Sequence, residues 1–270
     1  MNFWHKAKAF IIKDFIIETS YKVSFVIQMF GSILPLVSFF FVGKLVEEGS
    51  SETLAKYGGE YFPFALIGIA FTRYFQLAVT TFSDSMRRAQ MAGCLESILS
   101  SQTNPKAIVL NSALYSFLSA AVQLILIFVV GSLFLGFSFE NINVFATLVT
   151  FIVSVLAFIS FGMFAAAGTI IFKKGEPFGF VFSHLSAILG GAYFPITLMP
   201  NWLETISYVF PIYYALDALR LTILQGYSLT MIAQDLYIIC GMTLIFFPLS
   251  LYFFEWAVEK GKREGTLIQY

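Results

Sequence analysis

Few residues in this chain could carry chemistry. His5 and His184 are its only histidines, and Cys94 and Cys240 its only cysteines. No two of them stand at the spacing of a metal site. Two cysteines are too few for a disulfide framework, so both are expected as free thiols, Cys94 in a polar segment and Cys240 in an apolar one. No segment reads GxxxxGK followed by Ser or Thr, so the chain has no phosphate-cradling loop of its own. The many serines lie in apolar stretches, where a hydroxyl ordinarily bonds backbone or permits close helix packing. No catalytic residue, metal site or cofactor site is therefore assigned. What remains is charge in unusual places: Arg73 inside an apolar stretch, and Asp217 and Arg220 one helical turn apart in another, where they share a helical face and are expected to act as a pair. Arg73 either pairs with Asp217 or packs and snorkels as a structural residue. His184 is read as a packing donor, with the lining of a substrate path as the alternative.

The elements that must position these residues follow from composition. Of 270 residues, 58% are hydrophobic and only 12% charged, and the mean hydropathy is +0.81. A soluble domain is about 45–50% apolar and about 25% charged. So little charge cannot cover a water-soluble surface of this size, whereas the 33 phenylalanines can face lipid. The formal net charge of zero gives no basic field for nucleic acid.

About 20 apolar residues cross the hydrocarbon core. Six stretches qualify: Val23 to Gly43, Tyr61 to Ser83, Ala107 to Phe139, Asn141 to Phe172, Pro177 to Leu203, and Leu236 to Phe254. Only the second contains a residue from Asp, Glu, Lys and Arg, namely Arg73. The third and fourth are long enough to tilt or to extend past the interface. Between the fifth and sixth, residues 197–227 are apolar but broken by Pro200, Pro211, Asp217 and Arg220, which predicts two short re-entrant helices packed against protein. Residues 1–20 place Phe3, Trp4, Ala7, Phe10, Ile11 and Phe15 on one helical face, with Lys6 and Lys13 opposite. They are expected to lie in the membrane interface, the alternative being an extension of the first span. The start of the chain shows no cleavable leader, so the first span is expected to act as an uncleaved insertion signal. The fold class expected is thus an all-α integral membrane protein of about six transmembrane helices, forming a single domain over 1–270.

Orientation follows from lysine and arginine. With both termini in the cytoplasm, the inner segments hold Lys6, Lys8, Lys13, Lys22, Arg87, Arg88, Lys106, Lys173, Lys174, Lys260, Lys262 and Arg263, and the outer loops only Lys44 and Lys56. A cell-membrane, multi-pass protein with cytoplasmic termini is expected. None of the six stretches contains a carboxylate, which argues against an ion-coupled secondary transporter.

Two segments carry a resemblance. Met86 to Pro105 reads MRRAQMAGCLESILSSQTNP, and Gly190 to Arg220 reads GGAYFPITLMPNWLETISYVFPIYYALDALR. Together, and in this hydropathy order, they resemble the type-2 ABC exporter permeases, whose relatives move drugs, lipids and polysaccharides. In the first segment Gly93, Leu95, Glu96, Ile98, Leu99 and Pro105 fit the family pattern. Cys94 stands where Thr is usual, and Gln90 to Ala92 lacks the usual acid. In the second, Phe194, Pro195, Leu198, Pro200, Trp202, Ile206, Ser207, Pro211, Tyr214, Leu216 and Arg220 fit.

The resemblance implies a permease that dimerises, with itself or with a homologue, and docks on two copies of a separate ATP-binding subunit that holds ATP and Mg. Within residues 84–106, Gly93, Cys94, Leu95, Glu96, Ile98 and Leu99 would form the helix that couples to the ATPase. Phe194, Pro195, Pro200, Trp202, Pro211, Asp217 and Arg220 would form an outer gate, with Arg73 as a third charged member. Cargo would leave by alternating access. A lipidic, drug-like or glycolipid cargo is the leading expectation, and a polysaccharide the alternative. Tyr193, Phe194, Trp202, Tyr208, Tyr213 and Tyr214 could line a glycan path or form an interfacial aromatic belt.

Overall fold

The computed structural model describes residues 8, 11–13, 15–16, 20, 22–46, 52–91, 93, 105–172 and 184–263. Among them every regular element is helical. Besides helical residues among 8–20 and at 184–189, seven α-helices follow in order: α1 (Lys22–Val46), α2 (Tyr61–Met91), α3 (Pro105–Leu135), α4 (Val144–Phe172), α5 (Asn201–Ser207), α6 (Pro211–Leu224) and α7 (Ala233–Arg263). Short 3-10 turns cover Ala55–Tyr57 and Ile196–Leu198.

Four of these helices, α2, α3, α4 and α7, are long and apolar enough to cross a membrane. Helix α1 adds 25 residues. Long apolar runs become helices here because hydrocarbon offers no partner for backbone N–H and C=O, so each segment must satisfy its own. Pro35 in α1 and Pro248 in α7 sit inside helices, as is tolerated in membrane helices whose neighbours stabilise the freed carbonyls.

Helix α2 is the hub. It packs on α1, α3, α4 and α6, and its apolar window is 72% buried, against 22%, 33% and 11% for α3, α4 and α7. Those three therefore present most of their apolar surface outward, while α2 faces protein. Phe71, Phe75 and Phe82 project from α2. The Phe75 ring meets Phe158 of α4 edge-on at 4.4 Å. At Gly162 of α4, a Cβ would lie 2.4 Å from the Phe82 ring. This is the small-residue contact by which membrane helices approach closely.

Three sequence expectations shift. The fifth stretch is not one helix to Leu203. Residues 184–189 are helical, and the chain then turns at Gly190 and Gly191 and re-enters a helix only at Asn201. Gly191 takes a left-handed φ of 67°, and Pro195 and Pro200 cannot donate the bonds a continuing helix needs. The third helix stops at Leu135, before Gly136 with φ 76°. Helix α7 runs well beyond Phe254, to Arg263. Residues 177–183, most of 1–20 and Cys94 lie outside the described residues. Cys240 is an exposed free thiol on α7.

Candidate functional site

The two charges of α6 are the centre of the site. Phe210 and Pro211 start this helix, the proline at its first position, where its missing N–H costs nothing. Its 14 residues, about 21 Å long, are buried from Ala215 through Ile223 without a gap. Asp217 and Arg220 fall within that run, 4% and 3% exposed. A buried charge is tolerated only when paired and hydrogen-bonded, and each of these is, by a different route.

Asp217 is held by the loop before α2. Lys56 Nζ donates to both its carboxylate oxygens, at 2.9 and 2.7 Å, and the Tyr57 hydroxyl donates to Oδ1. The loop can turn back to present both residues because Gly58 and Gly59 take φ of 101° and 83°. Burial first, and then the Asp217 carboxylate, hold the Tyr57 phenol well above its ordinary pKa, so it stays a donor.

Arg220 is held by backbone. Its Nε donates to Phe64 O of α2 at 3.2 Å, and its Nη2 to Gly191 O and Ala192 O, each at 3.0 Å. The guanidinium lies 3.4 Å from the Phe64 ring centroid, a close cation–π contact. Burial lowers its pKa to about 10, against the raising effect of Tyr57 and Asp217, so it remains a cation at neutral pH. Gly68 makes this approach possible. A Cβ there would lie 1.8 Å from Ala192 O and 2.6 Å from Arg220 Nη2. Tyr61 closes the same edge, its hydroxyl donating to Tyr193 O at 3.0 Å. The assembly encloses a cleft of about 200 Å³ lined by Lys56, Tyr57, Thr197, Tyr213, Asp217 and Arg220.

The expected Asp217–Arg220 pair is thus replaced by two separate sets of partners, Lys56 and Tyr57 for the acid and three carbonyls for the base. Arg73 joins neither set. It lies partly buried on α2, with its Nε enclosed and unpartnered among the described residues. Pro195 is buried and Phe194 partly so, ahead of the 3-10 turn Ile196–Leu198. Pro200 caps α5 through its carbonyl, which accepts from Leu203 N and Glu204 N at 2.8 and 3.1 Å. Trp202 is 65% exposed, on the outside of α5. Tyr208, Tyr213 and Tyr214 form a ladder at 5.2 and 5.0 Å, with interplanar angles of 82° and 69°. Gly93 has a left-handed φ of 64°, while Cys94, Leu95, Glu96, Ile98 and Leu99 lie outside the described residues.

Sequence reasoning missed Lys56, Tyr57, Phe64 and Gly68. Lys56 is one of only two lysines in the segments assigned to the outside, and it precedes Tyr57 and a Gly58–Gly59 pair. That cluster was the available signal, read only as loop charge. Residues 8–224 match the family described as ABC-2 type transporter. No curated protein matches the chain.

Proposed function

This chain belongs to the ABC-2 type transporter family and is the membrane permease component of an ABC transporter, and on that premise we propose that it is an exporter of a lipidic or amphipathic cargo. In this reading it acts as a dimer on two copies of a separate subunit that binds ATP and Mg. It lies in the cell membrane with both termini in the cytoplasm. Residues 84–106 couple it to the ATPase, and α5, α6 and the turn before them form the outer gate.

The observation that carries the gate is depth. The Gly190–Ala192 turn sits against Gly68 of α2, about 10 Å along the helix from its Tyr61 end, and Arg220 is fixed to the same helix at Phe64. Helix α6 is too short to cross about 30 Å of hydrocarbon. A segment that dips, turns and returns, held to the central helix by one arginine, suits an element that closes one end of a pathway. Lys56 and Tyr57 tie the preceding loop to it. ATP-driven motion of the inner ends would open and close the pathway by rocking the two halves.

The tyrosine ladder, whose rings meet edge to face, is read as part of an interfacial aromatic belt. Ion coupling is disfavoured by the absence of carboxylates from the six apolar stretches. The test is translocation of a fluorescent phospholipid analogue in vesicles holding the permease together with an ATP-binding subunit from the same genome. Movement that requires ATP and both subunits is expected. Movement driven by an ion gradient with the permease alone would overturn the reading.

A further inference from the structure

Arg73 is a charge inside an apolar stretch that joins neither the Asp217 nor the Arg220 set of contacts. It lies about 18 Å along α2 from Tyr61 and about 22 Å from Arg88 at the other end of the span. In a hydrocarbon core about 30 Å thick, that places it near the middle. Its side chain is too short to bring the guanidinium to either interface by snorkelling. An intramembrane cation of this kind needs an anion or a wet cavity.

The sequence shows where that anion cannot come from. None of the six apolar stretches contains Asp or Glu, and Arg73 is the only residue of Asp, Glu, Lys and Arg in any of them. A second copy of the chain has the same sequence and supplies no carboxylate at that depth either. Asp217, the buried acid on α6, is already bonded by Lys56 and Tyr57.

The surroundings suit an amphiphile. Arg73 Nε is enclosed without a partner among the described residues, while the side chain as a whole is only partly buried. Helix α1 packs on α2, which carries Arg73. The Tyr193 ring stacks on Phe39 of α1 at 5.4 Å and 12°. The cation on α2 and the flat Phe39–Tyr193 stack thus belong to neighbouring elements, and Leu34, Val37 and Phe41 on α1 face outward.

We propose that Arg73 receives the oxyanion of an anionic amphiphile, a phosphate or carboxylate headgroup held at mid-membrane depth with its hydrocarbon along the Phe39–Tyr193 wall. This deepens the lipid-export reading by giving the cargo a negative charge, and it rests on that reading. The binding itself needs neither ATP nor the partner subunit.

The test uses two photoreactive probes that differ only in the phosphate: a diazirine phosphatidic acid and the matching diacylglycerol. Each is added to the purified full-length permease. Phosphatidic acid should label the peptides containing Arg73 and Tyr193 at least tenfold more than diacylglycerol does. Arg73→Gln should abolish that preference and Arg73→Lys should keep part of it, with labelling at Leu244 and Ile245 on the outward face of α7 unchanged as the control for a folded, inserted protein. Equal labelling by the two probes, or a preference that survives Arg73→Gln, would overturn the proposal. So would displacement of phosphatidic acid by millimolar inorganic phosphate, which would mark an aqueous anion site. Loss of ATP-dependent translocation with labelling intact would count against the export reading and leave this site standing.

Discussion

Replacing Arg220 by methionine removes the charge while nearly keeping the length of the side chain, so the effect is electrostatic rather than a cavity. Three hydrogen bonds go, to Phe64 O, Gly191 O and Ala192 O. A buried carbonyl left without a partner costs about 1–3 kcal/mol. Phe64 O lies inside α2, where it also has a helical partner to accept from. The two turn carbonyls therefore carry most of the loss, about 2–6 kcal/mol together. Against this, the variant no longer buries a guanidinium, whose desolvation offsets part of the gain from any buried charge. A net loss of about 3 kcal/mol is expected, at the low end of the roughly 3–5 kcal/mol that breaking a buried charged contact costs. For a chain of this size each kcal/mol lowers Tm by about 2–4 °C, so the midpoint should fall by about 6–12 °C. The assay is the fraction of monodisperse protein in detergent after heating. Arg220→Lys should fall between the two, because an ammonium is a point charge and cannot reach three acceptors in fork geometry. A methionine variant whose midpoint falls by less than about 2 °C would refute the claim that Arg220 fastens the turn to α2.

Gly68→Ala should destabilise by about 1–3 kcal/mol in the same assay, as overpacking does, because its Cβ would collide with Ala192 O; wild-type melting would mean the turn can move away freely. Lys56→Ala and Asp217→Asn should be non-additive, with a coupling of about 1 kcal/mol that weakens in high salt. The Lys56 side chain is 52% exposed, which screens the pair. Additive effects would mean that Lys56 does not fasten the loop to Asp217. Leu95→Arg should leave insertion intact and abolish cargo-stimulated ATP hydrolysis in the complete transporter, and normal stimulation would separate residues 84–106 from coupling. Single cysteines at Ser50 and Asn201, in a background lacking Cys94 and Cys240, should react with an impermeant thiol reagent on intact cells; labelling only after permeabilisation would reverse the orientation.

How much of this was legible beforehand differs between fold and site. The long helices were, because an uncharged run such as Asn141 to Phe172 has no alternative in hydrocarbon. The pair of short helices between residues 197 and 227 was too, because Pro200 and Pro211 mark their starts. The site was only half readable. Asp217 and Arg220 stood out as charges in an apolar segment, but their nearness in sequence suggested that they satisfy each other. Their actual partners come from tertiary structure. Lys56 and Tyr57 lie some 160 residues earlier, and the partners of Arg220 are backbone carbonyls, which no side-chain pattern can announce. Gly68 likewise carries no local sign of its role, since its reason is an oxygen on another segment.

The separation between Lys56 and Asp217 bears on how the protein is made. The two residues are 161 positions apart, so a ribosome adding about 5–20 residues per second leaves the loop before α2 without its acid for about 8–30 s. During that interval α2, α3 and α4 can already be inserted, each satisfied by its own backbone. Arg220 arrives after them and finds its acceptors only when the Gly190–Ala192 turn, made shortly before, has settled on Gly68. Closure of the Lys56–Asp217 contact is therefore a late step of biogenesis, and a nascent chain halted before Asp217 would be membrane-embedded yet unfastened. Quality-control proteases that read exposed loops would have their opportunity in that window, and a substitution at Lys56 or Asp217 would prolong it.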